Sequence, residues 1–298
     1  MLKGSMVALV TPFKRGGDID WETLEYLVDF HLNNKTDVIV PCGTTGESPT
    51  LNYEEHIKVI EFVVKKVNKR VPVLAGTGTN STYETIYFTN EAKRVGADAA
   101  LVIAPYYNKP TQRGLIEHFT AVSKETGGFP IVAYNVPSRT VINIEPQTLA
   151  EIVKRNPNVI GIKEASGNIK QCMDILEYVD KPDFALISGD DGINLAILKI
   201  GGVGAISVTA NIVPKDMSDM INSYLSGDVK KAEEIDKKLQ ILNRVLFLET
   251  NPIPIKKALE LVGIIKDGSL RLPLTELSEQ NTQKLKDALV KYGFKINV

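Results

Sequence analysis

The chain has 298 residues, 43% of them hydrophobic, and a formal net charge of −1, which suits one large domain with a buried core. Its charges are mixed along the sequence, which excludes a basic face for nucleic acid and a polybasic segment for a membrane. Two cysteines are too few for a disulfide framework. No apolar stretch near the N-terminus has the length of a signal peptide, so we expect a cytoplasmic protein that acts on small molecules.

Short apolar segments alternate with amphipathic ones up to about Ser207, and this alternation is typical of repeated βα units with a parallel sheet. Eight of these segments are predicted to be strands, the number found in a (β/α)8 TIM barrel. A doubly wound sheet is less favoured, because the turn after the first strand lacks a glycine-rich phosphate loop. The predicted strands are residues 6–10, 38–40, 71–75, 99–103, 131–134, 159–163, 185–188 and 204–208.

The segments between the strands have helical spacing. Asn52 and Glu55 form the pattern of a capping box before one such helix, and Gly96 is typical of a helix end. After about residue 226 no further strand is predicted, and helices are expected over residues 229–249, 253–262 and 278–291. The sequence therefore predicts an α/β protein with a catalytic TIM barrel over residues 1–226 and a helical C-terminal region over residues 227–298.

Lys163 ends the sixth predicted strand, which is otherwise apolar. In a TIM barrel the active site lies at the C-terminal ends of the strands. With regular alternation Lys163 shares a face with Val159 and Gly161, and an interior face with a glycine leaves room for a substrate. An apolar site disfavours the ammonium form and frees the amine to attack a ketone. The alternative is a lysine that reaches solvent or pairs with Glu164.

Other strand ends carry hydroxyl groups and a cation. Tyr134 ends the fifth strand and can pass protons while a carbinolamine forms and collapses. Thr44 and Tyr107, which follow the second and fourth strands, can hold it in place. Arg139 has a planar guanidinium that suits a carboxylate, although each of these residues alone also fits a structural role. The three histidines lack metal-ligand spacing, and we predict no metal site.

Taken together, seven segments resemble the dihydrodipicolinate synthase family. This family belongs to the pyruvate-dependent class I aldolases, which also include N-acetylneuraminate lyase. The resemblance covers essentially the whole chain, and residues 138–140 are similar to the synthase branch. The segments are residues 43–48 (GTTGES), 105–108 (PYYN), 134–140 (YNVPSRT), 161–165 (GIKEA), 188–191 (SGDD), 206–211 (ISVTAN) and 251–254 (NPIP).

The resemblance implies a role for each catalytic residue. Lys163 forms an imine with pyruvate, while Tyr134, Thr44 and Tyr107 relay protons. Tyr107 is expected to reach the site from a neighbouring subunit, so the resemblance implies a homo-oligomer, usually a tetramer. Neither a metal nor an organic cofactor is implied, because the lysine itself supplies the electron sink.

The resemblance also implies the two substrates. Thr45 and Ile206 are expected to line the pyruvate site, and Arg139 to bind the carboxylate of L-aspartate 4-semialdehyde. The implied product is 4-hydroxy-tetrahydrodipicolinate, a precursor of lysine and diaminopimelate.

Many members of the family are inhibited by lysine between subunits, and this chain has polar and aromatic residues at the matching positions. Tyr53 stands where the lysine-sensitive enzymes have a histidine, and Pro49 is a second departure. We therefore expect lysine inhibition of reduced strength. The alternative is that His56 and Glu84 are simply polar helix positions. The full set is Ser48, Pro49, Tyr53, His56, Asn80, Glu84 and Tyr106.

Three other functions remain open from the sequence. Another pyruvate aldolase, such as an N-acetylneuraminate lyase, would keep Lys163 and Tyr134 and differ in its aldehyde. A non-catalytic barrel that binds pyruvate or lysine would be expected to lose part of the catalytic set. A phosphate-binding barrel would use Gly189 and the glycines at 201 and 202, but glycines near strand ends are usually turn residues.

Overall fold

The computed structural model describes residues 2–296, and its strands follow the order of the predicted apolar segments. They are β1 Gly4–Ala8, β2 Val38–Val40, β3 Leu74–Gly76, β4 Ala99–Ile103, β5 Ile131–Asn135, β6 Val159–Glu164, β7 Ala185–Ser188 and β8 Gly204–Ser207. The helices are α1 Trp21–Asn33, α2 Tyr53–Val67, α3 Thr82–Arg94, α4 Gln112–Glu125, α5 Pro137–Thr140, α6 Pro146–Arg155, α7 Ile169–Tyr178, α8 Asn194–Lys199, α9 Pro214–Leu225, α10 Val229–Val245, α11 Ile253–Leu261 and α12 Glu279–Tyr292.

The eight strands form one parallel sheet in the order β2-β1-β8-β7-β6-β5-β4-β3. A parallel bridge between Ile39 and Val73 joins β2 to the residue before β3. This bridge closes the sheet, and the predicted TIM barrel is confirmed. Strand β1 ends two residues earlier than predicted, because the N–H of Val10 donates to the side chain of Asn211 (3.1 Å).

The helix signals of the sequence are present in the structure. The side chain of Asn52 accepts from the N–H of Glu55, and the Glu55 carboxylate accepts from the N–H of Asn52, which forms the predicted capping box of α2. Gly96 follows the end of α3 with a φ of +94°, a conformation that glycine adopts without steric cost. Within residues 2–296, no helix is both long and apolar enough to span a bilayer.

Strand β6 departs from the regular alternation that we predicted. Ile131 of β5 pairs with Val159, but the next residue, Val132, pairs with Gly161. Ile160 is therefore an extra residue, as in a β-bulge. Val159 packs in the outer layer between strands and helices, and Ile160 packs against the barrel interior. The predicted faces of these two residues are wrong, whereas the interior placement of Gly161 and Lys163 is correct.

The C-terminal helices pack on the barrel and share its core. Helix α10 packs against α9, and α12 packs against α10 and α11. Leu242, Ile255 and Leu285 from these helices belong to the same apolar cluster as the outer layer of the barrel. Helix α10 ends four residues before the predicted Glu249. The chain then turns back and brings Asn251 to the rim of the barrel.

Candidate active site

A cavity of about 420 Å³ lies at the C-terminal ends of the strands, where a TIM barrel holds its active site. Five of the predicted site residues line it together, from β5, β6, α5 and the turn after β2. The C-terminal region also contributes, through α10 and the turn that follows it. The lining includes Thr44, Thr45, Tyr134, Arg139, Lys163, Gly189 and Asn251.

Lys163 lies inside the barrel on β6, beside Tyr134 of β5. Its side chain is buried, with the residue only 6% exposed, and its Nζ lies 4.2 Å from the centre of the Tyr134 ring. Burial of this amine contradicts the alternative of a lysine that reaches solvent. The structure therefore brings an amine and a phenol together inside the barrel.

Glu164 does not pair with Lys163, because its carboxylate has other partners. It accepts hydrogen bonds from Asn135 Nδ2 (2.9 Å), Gln171 Nε2 (3.0 Å) and the N–H of Ser166 (2.7 Å). Successive residues of a strand face opposite sides, so this carboxylate lies on the helix side of β6. The alternative of a Lys163–Glu164 ion pair is wrong.

Gly189, at the end of β7, makes the space for the lysine. A Cβ at this position would lie 2.9 Å from Lys163 Cε and Cγ and 2.8 Å from the Cβ of Ala165. We had expected Gly161 to leave room for a substrate, but a Cβ there would lie 2.6 Å from the carbonyl oxygen of Ala185. Gly161 thus permits close packing of β6 on β7, and Gly189 gives Lys163 its position.

Thr44 and Thr45 lie on a tight turn over residues 43–47 that follows β2. The N–H of Glu47 donates to the carbonyl of Thr44 (3.1 Å), and that of Gly46 to Gly43 (3.1 Å). Thr45 is buried, and its Oγ1 accepts from Asn251 Nδ2 (3.0 Å). The turn therefore presents two adjacent hydroxyl groups near Lys163.

Arg139 lies on the short helix α5 and lines the same cavity as the threonine turn. Its Nη2 donates to the backbone carbonyl of Asn251 (3.0 Å), so Asn251 contacts both Arg139 and Thr45. Its Oδ1 is buried and has no hydrogen-bond partner within residues 2–296. Asn251 belongs to the NPIP segment of the family resemblance, but no role was predicted for it. The available signal was a polar amide next to two prolines in an apolar stretch.

Tyr107 and Ile206 are not brought into this cavity. Tyr107 is 86% exposed, in a left-handed conformation with a φ of +73°. Ile206 is buried among the interior side chains of the barrel, where it pairs with Met6 of β1. Within residues 2–296, Tyr134 is thus the one tyrosine that lines this cavity.

Three of the seven predicted lysine-site residues lie beside the cavity that Lys163 lines. Ser48, Pro49 and Tyr106 line a second cavity of about 180 Å³, which Thr44 and Tyr134 also border. Asn80 accepts a hydrogen bond from Asn108 through its backbone carbonyl (2.8 Å).

Glu84 already has partners in the structure. Its carboxylate accepts from the Tyr53 hydroxyl and from Thr79 Oγ1 (3.1 Å). The hydrogen bond to Glu84 raises the pKa of Tyr53 to about 12, so this hydroxyl stays protonated at neutral pH. One carboxylate oxygen is thus occupied by a residue that departs from the family pattern.

His56 is buried within the chain. Its Nε2 donates to the carbonyl of Gly76 (2.7 Å), and its ring stacks on Phe88 with the centroids 4.3 Å apart. Burial lowers the pKa of His56 to about 4, and the ring is neutral at pH 7. These contacts are those of a core histidine.

The comparisons with known proteins agree with this geometry. The sequence model of the dihydrodipicolinate synthetase family matches residues 1–292. A relative from Thermodesulfovibrio yellowstonii, named 4-hydroxy-tetrahydrodipicolinate synthase, is 52% identical and covers 98% of this chain and 99% of its own. The crystal structure of dihydrodipicolinate synthase from Aquifex aeolicus covers 100% of both chains with a TM-score of 0.96 and 46% identity.

A third similar protein is the chloride-inhibited dihydrodipicolinate synthase from Acinetobacter baumannii, solved in complex with pyruvate. Its TM-score is 0.96 at 43% identity, and the match covers 99% of this chain and 100% of that one. The family match and the high identity extend over nearly the full length of each protein. The chain therefore belongs to the dihydrodipicolinate synthetase family.

Proposed function

We infer that this chain is a 4-hydroxy-tetrahydrodipicolinate synthase, a lyase that condenses pyruvate with L-aspartate 4-semialdehyde. The observation that carries this inference is the buried amine of Lys163, which lies 4.2 Å from the Tyr134 ring in a cavity that Thr44, Thr45 and Arg139 also line. A cytoplasmic enzyme of lysine and diaminopimelate biosynthesis fits this chemistry.

The first half of the reaction activates pyruvate. The amine of Lys163 attacks C2 of pyruvate to give a carbinolamine, which loses water to form an imine. The imine nitrogen withdraws electrons from C3, so a proton leaves C3 and an enamine forms. This step needs no metal or organic cofactor, because the protonated imine is the electron sink.

Proton transfers accompany each of these steps. We assign them to the Tyr134 hydroxyl, supported by Thr44 and by Tyr107 of a neighbouring subunit, while Thr45 and Ile206 shape the pyruvate site. The support for an intersubunit role is the exposure of Tyr107 on its own chain. The active form is then a homo-oligomer, and we propose a tetramer.

The second half of the reaction joins the two substrates. C3 of the enamine attacks the aldehyde carbon of the semialdehyde, whose carboxylate binds Arg139, and the new alkoxide takes up a proton. The amine of the semialdehyde then adds to C2 and displaces Lys163. This addition closes the ring, and the bond between C2 and the Lys163 nitrogen breaks, which gives 4-hydroxy-tetrahydrodipicolinate and the free lysine.

The test is turnover of the purified protein with pyruvate and each of two acceptors, L-aspartate 4-semialdehyde and N-acetylmannosamine, with products identified by mass spectrometry. We expect the cyclic product with the semialdehyde and none with the sugar. Condensation with the sugar would identify an N-acetylneuraminate lyase. Absence of any product from folded protein would favour a non-catalytic pyruvate-binding barrel.

Arg139 gives a prediction on substrate recognition. In Arg139→Gln we expect kcat/KM for the semialdehyde to fall about 10- to 100-fold, since a hydrogen bond to a charged group contributes about 1.5–3 kcal/mol. The rate of imine formation with pyruvate should stay near that of the wild type. Arg155→Gln, which removes an exposed arginine of α6, is the control. An equal loss for both substrates would contradict this role.

Tyr53 gives a prediction on regulation, and we propose that lysine binds at Glu84 with reduced strength. In Tyr53→Phe the lost hydroxyl frees one Glu84 oxygen for the ammonium group of lysine. We expect weak inhibition of the wild type at millimolar lysine and inhibition at about tenfold lower lysine in the variant. Tyr26→Phe, on the exposed side of α1, should behave as the wild type. Equal activity at zero and millimolar lysine in both proteins would rule out the site.

A further inference from the structure

An ion pair with no exposed atoms lies behind the threonine turn. Lys256 of α11 contacts Glu47, the last residue of the turn, with 2.7 Å between Nζ and Oε1, and both side chains are fully buried. Burial lowers the pKa of the Lys256 ammonium, and the charge of Glu47 opposes that shift. None of the proposed catalytic steps uses either group.

The surroundings of this pair satisfy both of its charges. The second oxygen of Glu47 accepts from the N–H of Arg271 (3.1 Å). The ring of Phe13 lies 4.2 Å from Lys256 Nζ and 4.5 Å from the Arg271 guanidinium carbon. That guanidinium in turn donates twice to Glu55 (2.6 and 2.7 Å). Two cations and two carboxylates thus form one network behind the turn.

The backbone of Glu47 shows why the turn needs an anchor. Its φ is +54°, in the left-handed region that favours glycine. In this conformation its N–H closes the turn on the carbonyl of Thr44. Glu47 adopts this unfavourable backbone conformation, and the ion pair with Lys256 holds its carboxylate in place.

Residues 251–256 contact the threonine turn at two places. Asn251 donates to Thr45 Oγ1, and five residues later Lys256 pairs with Glu47. The carbonyl of Asn251 also accepts from Arg139. Residues 251–256 therefore set the position of the threonine turn relative to Arg139.

We propose that Glu47 and Lys256 are positioning residues, which hold the hydroxyl groups of Thr44 and Thr45 at a fixed position relative to the imine on Lys163. This role rests on the proposed function, because it assumes that these hydroxyl groups act on pyruvate. Replacement of a buried ion pair by neutral or apolar groups is often neutral or favourable for stability. Stability alone therefore does not explain a buried pair at this place.

The experiment uses the full-length variants Lys256→Met, Glu47→Gln and the double variant Glu47→Gln/Lys256→Met. Glutamine keeps an acceptor for the Arg271 N–H. Each single change leaves one partner unpaired, so we expect a lower melting temperature. In the double variant we expect the melting temperature to return close to that of the wild type. We expect kcat to stay about 10- to 100-fold low, the loss that follows a displacement of about 1 Å in an active site.

The rate of borohydride trapping with pyruvate separates this role from a failure of the proposed function. We expect the wild type to trap and turn over, and the double variant to trap more slowly. Wild type without turnover would reject the proposed function itself. Lys257→Met is the matched control, since that lysine lies on the same helix and pairs with Glu260 near the surface.

Two results would overturn the positioning role. One is a kcat that recovers together with the melting temperature in the double variant, since the pair would then act through stability alone. The other is a double variant that does not fold, because the pair would then be needed for the fold itself.

Discussion

Alanine in place of Lys163 is expected to abolish the pyruvate adduct trapped by borohydride and to lower condensation at least about 10³-fold, as removal of a covalent nucleophile does. The reason is that the amine is the only group of the cavity that we assign to covalent bonding with the ketone. Peptide mass spectrometry of the reduced wild type should find the added mass on Lys163, and the variant should show no adduct.

The control for this experiment is Lys170→Ala, which removes an exposed lysine of α7. Its adduct and turnover should equal those of the wild type. Lys163→Ala should melt near the wild type, because the Glu164 carboxylate on the same strand is already bound by other residues. An adduct that persists at full yield in Lys163→Ala would move the nucleophile elsewhere and contradict the mechanism.

Gly189→Ala is expected to lower the rate of imine formation about 100-fold, while the protein remains folded. The new methyl group would lie 2.9 Å from two carbons of the Lys163 side chain, which is closer than van der Waals contact allows. The flexible lysine yields more easily than the backbone, so its amine moves away from Tyr134. A shift of about 1 Å at a reacting group has an effect of this size.

The measurement for Gly189→Ala is the rate of adduct formation at saturating pyruvate, with the melting temperature recorded in parallel. Gly16→Ala is the matched control, because a Cβ there meets no atom within 4 Å. A trapping rate equal to that of the wild type would show that the space beside Lys163 is not critical. A large loss of stability would show that the new methyl group displaces Ala165 and the backbone, and not only the Lys163 side chain.

Local pattern was sufficient to predict the barrel. Apolar segments mark the interior strands, and the side chains at or just beyond their C-terminal ends converge on one rim, so the sequence could predict that Thr44, Tyr134, Arg139 and Lys163 lie in one cavity. The bulge at Ile160 was missed, since it depends on pairing with β5 and leaves no mark in β6 alone.

Contacts between distant residues account for the other omissions. The role of Gly189 depends on the position of Lys163, so from the sequence this residue could be predicted only as a turn or phosphate-binding glycine. Lys256 occupies a buried position in an apolar helix, which is a signal for a charged partner, but its partner is Glu47. The proposed contribution of Tyr107 to a neighbouring subunit rests on the family resemblance, because no local pattern in the sequence indicates it.

The attachments of the threonine turn have a consequence for biosynthesis of the chain. Thr45 is bonded to Asn251, which lies 206 positions later in the chain. Glu47 is bonded to Lys256 and Arg271, which lie 209 and 224 positions later. On the ribosome, which extends a chain from its N-terminus, all eight strands are synthesised before the first of these partners. A nascent or prematurely terminated chain that ends before residue 251 therefore contains Lys163 but lacks the contacts that organise its surroundings. Catalytic competence is thus acquired late, and active protein reports that translation has passed residue 271.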